Sequence, residues 1–114
     1  MNRAGVRRVC LKLPGATLDH PFGEGHDAYK VGGKMFALVG AKGGVSFKAS
    51  DIAFAALTDT RRARPAPYLA RAKWLHLDDP ADWPDADLTD YLKAAHGLVA
   101  ARLTRKARAA LGLG

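Results

Sequence analysis

A single cysteine among 114 residues excludes an internal disulfide framework. Cys10 falls among the apolar positions of the first helical stripe, where a buried, inert thiol is expected, and this usage suits a reducing cytoplasm. No run of 18 consecutive apolar residues occurs, so no membrane-spanning helix is expected. Met1-Asn2-Arg3 leads into a segment interrupted by Arg7, Arg8 and Lys12, which lacks the continuous apolar core of a signal peptide. Catalytic constellations are missing too: His76 has no Ser, Cys or metal partner in its neighbourhood of sequence. Asp19, His20, Glu24, His26 and Asp27 lack the spacing of a zinc site and sit on a Pro- and Gly-rich turn. Lys34, which follows Gly32-Gly33, precedes Met35 and another strand rather than the Ser or Thr and helix of a Walker loop. The reading is therefore of a protein that is not an enzyme and carries no metal or cofactor.

What is present suits one domain, residues 1–114. An apolar content of 48%, with two Trp, three Tyr and four Phe, closes one modest core. Lys and Arg number 18 against 11 Asp and Glu. The acids are unevenly placed. Six of them (Asp78, Asp79, Asp82, Asp85, Asp87 and Asp90) occupy the 13-residue segment 78–90, which holds no Lys or Arg. The rest of the chain carries a local excess of +13, the remainder of 18 bases over five acids. Such a surface attracts polyanions across a Debye length of about 8–10 Å, with DNA the natural partner. The same excess also serves as plain solvation.

Three short apolar runs, Ala28 to Val31, Met35 to Val39 and Val45 to Phe47, are separated by glycines and read as successive strands. Gly32-Gly33 offers the positive φ that a two-residue hairpin requires, and Gly43-Gly44 closes the next connection. Met35 to Val39 is apolar on both faces, as a central strand would be. Before these, Val6, Val9, Cys10 and Leu13 form one helical stripe capped by Asn2 and stopped by Pro14-Gly15, and Ala16 to Asp19 reads as a strand. After them, Ser50 or Asp51 caps a helix to about Leu57 with Ile52, Ala55, Ala56 and Leu57 as its apolar side. Lys73 to Asp78 alternates as a further strand, with Leu75 and Leu77 on one face and Trp74 and His76 on the other. A long closing helix presents Leu88, Tyr91, Leu92, Ala95, Leu98 and Val99, with Asp85, Asp87 and Asp90 at its positive N-terminal end. A last turn or helix directs Leu103, Ala107 and Leu111 inward and Arg102, Arg105, Lys106 and Arg108 outward.

The stretch from Arg61 to Lys73 holds five cations and a tyrosine around Pro65-Ala66-Pro67, and no acid interrupts it. Proline stiffness presents the cations with little entropy to lose on docking. Arg61, Arg62, Arg64, Arg71 and Lys73 are the candidate phosphate contacts, with Lys34 and Lys48 as supporting cations from the sheet. Tyr68 and Trp74 are the candidate stacking platforms; alternatively each fills the core or covers the second face of the sheet.

The succession Leu13-Pro14-Gly15, Pro21-Phe22-Gly23, Tyr29 to Ala37, Phe47-Lys48, Pro65 to Leu69, Lys73-Trp74 and the helix 86–103 resembles the MmcQ/YjbR family across almost the whole chain. The resemblance implies an α+β domain: an antiparallel sheet of about five strands flanked by N-terminal, middle and C-terminal helices, similar to the frataxin-like (CyaY-like) layout. It also implies a DNA-binding role through a surface called the double-wing motif, with no catalytic residue. The chain departs from that pattern at Ala95-His96, where family members often carry Ser before an aromatic. The leading expectation is thus a monomeric, non-enzymatic DNA-binding domain. The alternative is a protein-interaction or small-ligand module with no nucleic-acid role, in which the basic stretch and the acidic segment 78–90 pair with each other or with an unidentified protein partner.

Overall fold

In the computed structural model, which describes residues 1–113, six antiparallel strands form one sheet in the order β1-β2-β3-β4-β6-β5. Helix α1 (Arg3–Leu11) precedes β1 (Ala16–Asp19), β2 (Asp27–Val31), β3 (Lys34–Val39) and β4 (Val45–Lys48). Helix α2 (Asp51–Asp59) then leads to β5 (Arg64–Pro65), β6 (Trp74–Leu77), α3 (Asp85–Ala100) and α4 (Arg105–Ala110). Local signals explain most boundaries. The Asn2 side chain accepts the Gly5 N–H at 2.9 Å, and Ser50 accepts that of Ala53 at 3.1 Å, each satisfying a donor that a helix start leaves free. Gly32 and Gly33 adopt φ of 59° and 78°, the mirror-image turn that matches the twist of a hairpin.

β3 does lie inside the sheet, but its unbroken apolar run has a specific cause. Tyr29 pairs with Ala37 and Lys30 with Met35, so Phe36 is an extra residue in a β-bulge. The bulge lets Phe36 and Ala37 both enter the core, where Phe36 meets the His96 ring edge-on at 5.3 Å. The core lies on one face, between the sheet and α1 and α3, around Tyr29, Phe36, Phe47, Leu75, Leu88 and Leu92, all fully buried. Cys10 is buried there, and burial pushes its thiol up to about 12. His96 donates from Nε2 to the Pro14 carbonyl at 2.7 Å and fixes the turn after α1 to α3. Its position in the core gives no sequence signal, and it supplies a polar contact at the place where the chain departs from the family pattern.

One expectation is sharpened and one needs correction. The sheet, expected with about five strands, has six, because the two-residue β5 is embedded in the basic stretch, where a proline and three arginines mask it. The expected apolar side of α2 is largely not buried: Ile52 is 84% exposed, Ala55 and Ala56 are exposed, and Leu57 alone is buried. This helix lies beside β5 at the edge of the sheet rather than on its covered face, which leaves it little to pack on.

Candidate nucleic-acid interface

Because every neighbouring strand is antiparallel, the sheet has two ends, and the chain's charges sort between them. At one end, β1, β3 and β6 start and β2, β4 and β5 finish. The C-terminal segment closes this end, since Leu103 sits against Gly32 and Leu111 against Gly15. The connections and helix termini there bring Lys12, Lys34, Lys48, Arg71, Lys73, Arg102, Arg105, Lys106 and Arg108, nine of the 18 Lys and Arg, against a single acid, Asp51. None of these nine is in an ion pair among the described residues. Lys48 donates to the Ala72 carbonyl, Arg108 donates to the Ala100 carbonyl at 2.8 Å, and the Lys73 ammonium lies 5.1 Å over the Phe54 ring. Burial holds the Lys48 ammonium below its ordinary pKa, and the charge of Arg102 adds to this; Asp51 opposes the shift, while Lys73 reinforces it. Burial is the main cause, and the neighbouring cations add to it more than Asp51 offsets.

The opposite end is where the ion pairs are. Arg62 reaches Asp87 at 3.1 Å, Arg64 reaches Asp78 at 2.5 Å, Arg3 reaches Asp27 at 2.9 Å, and the amino terminus meets Asp85. Trp83 fastens the acidic segment to this end. Its Nε1 donates to the Arg62 carbonyl at 2.8 Å, its ring carries the Arg62 guanidinium at 5.0 Å, and its edge packs on Phe47 and Tyr91.

The basic stretch is therefore divided. β5 carries the chain from one end of the sheet to the other, leaving Arg61, Arg62 and Arg64 at the acidic end and Arg71 and Lys73 at the basic end. Lys34 and Lys48 join the latter pair, and so do Lys12, Arg102, Arg105 and Lys106, which sequence reasoning left out of the site. The signal that could have found them is strand parity: in an antiparallel meander every second connection returns to the same end. Of the two aromatic candidates, Tyr68 is fully exposed at the tip of the 66–73 connection, with φ of 66°. Trp74 is a correction: it is 5% exposed on the strand face away from the core, across from Lys48, and cannot serve as a stacking platform. His76 also departs from expectation, because it has neighbours after all: Ser46 lies opposite it and Asp78 follows two residues on.

No helix among the described residues is long and apolar enough to cross a membrane. The geometry defines a class: an α+β fold whose antiparallel sheet is packed by helices on one face, with unpaired cations gathered at one end and cations and carboxylates nearly balanced over the rest. The family model YjbR matches residues 11–98, and the chain belongs to the YjbR family. A crystal structure of Deinococcus radiodurans protein DR2400, described by the family-model domain DUF419, is similar with a TM-score of 0.84 and 24% identity. The likeness covers 96% of this chain and 86% of that one, and it is a likeness of fold. No curated protein matches the chain.

Proposed function

We propose that this protein is a DNA-binding domain whose working surface is the basic end of the sheet. The observation that carries the reading is the segregation of charge: nine cations outside any ion pair against one acid at one end, with the chain's ion pairs concentrated at the other. Lys48, Lys73 and Arg102 lie at its centre as phosphate contacts, Lys34 and Arg71 extend it, and Tyr68 is the aromatic free to stack on a base. The domain acts as a monomer in the reducing cytoplasm, where its one buried thiol needs no partner.

Arg61, Arg62 and Arg64 drop out of the leading role, because two of the three already hold carboxylates. DNA affinity measured at two salt concentrations separates these surfaces. If about five phosphates are neutralised, the log-log slope on duplex DNA is about −4.5. Combined Lys48→Glu, Lys73→Glu and Arg102→Glu should lower affinity by more than about tenfold and flatten the slope. Combined Arg61→Glu, Arg62→Glu and Arg64→Glu should change it far less. Salt-independent binding by the native protein, or equal loss in the two triple variants, overturns the assignment. Absence of binding would leave the basic end as a site for an acidic protein partner.

A further inference from the structure

On the sheet face away from the core, Ser46 on β4, 7% exposed, stands directly across from half-buried His76 on β6. Ser46 Oγ lies 2.8 Å from His76 Nδ1, and His76 Nε2 lies 3.4 Å from Asp78 Oδ1. With the ring proton on Nε2, toward the carboxylate, Nδ1 presents a lone pair to the Ser46 hydroxyl, and this is the tautomer the proposal uses. Arg64 donates to the same Asp78 oxygen, Oδ1, at 2.5 Å, so the guanidinium and the imidazole share it. Gly44 lets the ring seat against bare backbone, since a Cβ there would stand 2.7 Å from His76 Cε1.

The three residues line a groove of about 610 Å³, together with apolar Leu38, Pro67 and Leu69 and the cation Lys42. Burial holds the imidazole below the ordinary histidine value, and the charge of Arg64 adds to this, so the ring is neutral and able to accept a proton at neutral pH.

We propose that Ser46 is a nucleophile, with His76 as its base and Asp78 as the positioning residue, toward activated esters of small apolar acids. Neither DNA binding nor the basic end is needed for it. Ser46 Oγ attacks the ester carbonyl carbon as its proton passes to His76 Nδ1. The carbon–oxygen bond to the leaving alcohol then breaks, and that alcohol takes the proton from Nδ1, leaving an acyl-serine. Water, deprotonated by the same nitrogen, attacks the acyl-serine, releases the acid and restores the Ser46 hydroxyl. The apolar groove wall receives the acyl group. Lys42 also lines the groove, has no ion pair among the described residues, and is assigned as the cation for the transient oxyanion.

The test is labelling of the full chain with a fluorophosphonate probe, followed by peptide mapping, alongside release of p-nitrophenolate from p-nitrophenyl butyrate. One adduct on Ser46, absent from Ser46→Ala, is expected. His76→Gln, checked for an unchanged melting curve, should label at least about a hundredfold more slowly. No adduct on the native chain, an adduct on another residue, labelling that persists in denaturant, or an unchanged rate in His76→Gln would each overturn the proposal.

Discussion

The basic and acidic ends of this sheet are built from the same kinds of connection, yet they treat charge in opposite ways. At the acidic end each ion pair joins two pieces of chain: Arg62 to α3, Arg64 to the segment after β6, and Arg3 to β2. There charge serves cohesion. At the basic end the cations meet backbone carbonyls and one aromatic ring instead of carboxylates, and Lys48 is held below its ordinary pKa by burial and by its cationic neighbours. The difference teaches that a basic stretch in sequence is not a basic surface. The thirteen residues from Arg61 to Lys73 read as one continuous feature, but a two-residue strand distributes them between ends with opposite roles.

The comparison can be broken most forcefully at Trp83. Trp83→Ala removes a buried aromatic from the acidic end together with its hydrogen bond to Arg62. It should cost about 3–5 kcal/mol in denaturant unfolding. A loss below about 1 kcal/mol would mean that this end is held by its ion pairs rather than by the aromatic cluster, a weak role for exposed pairs.

Tyr68→Ala supplies the contrast at the basic end. A fully exposed side chain should leave stability within about 0.5 kcal/mol. Single-strand DNA affinity should nonetheless fall by about 1–3 kcal/mol if the ring stacks on a base. Unchanged affinity would remove Tyr68 from the interface and leave the basic end a purely electrostatic surface.

The smallest effect concerns pH. The folded His76 pKa lies below its ordinary value of 6.5, chiefly through burial. The unfolded chain therefore binds the proton more readily, and the associated stability is present above about pH 6.5 and lost as pH falls through it toward the folded value. Arg64, Asp78 and Ser46 are the groups that face this ring. Melting temperatures between about pH 7 and 5 should fall less steeply for His76→Gln than for the native protein. Parallel curves would place the acid sensitivity on the carboxylates of the acidic end instead.

The fold was largely legible, for identifiable reasons. Asn2 and Ser50 announce two helix starts, Gly32-Gly33 fixes a hairpin, and the strand pattern around it yields a sheet that belongs to an α+β domain. Three features were hidden because they depend on what lies across space. β5 is too short and too polar for periodicity to register. The exposed side of α2 looks apolar by composition, and only its place at the sheet edge leaves Ile52 in water. Trp74 alternates correctly with Leu75, but alternation does not tell which of two faces is sheltered. For the site, candidate cations were legible as residue types, whereas their convergence required the strand order. Ser46 and His76 are thirty residues apart and meet only through the pairing of β4 with β6.

The margins of the sheet have a colloidal consequence. Its outermost strands, β1 and β5, are four and two residues long. Pro65 in β5 has no N–H to offer a neighbour, and β1 lies between Pro14-Gly15 and His20-Pro21. Neither margin is a long flat template onto which another chain could add a strand. In a crowded solution, such a protein resists edge-to-edge association through its backbone, independently of the repulsion that its net charge supplies.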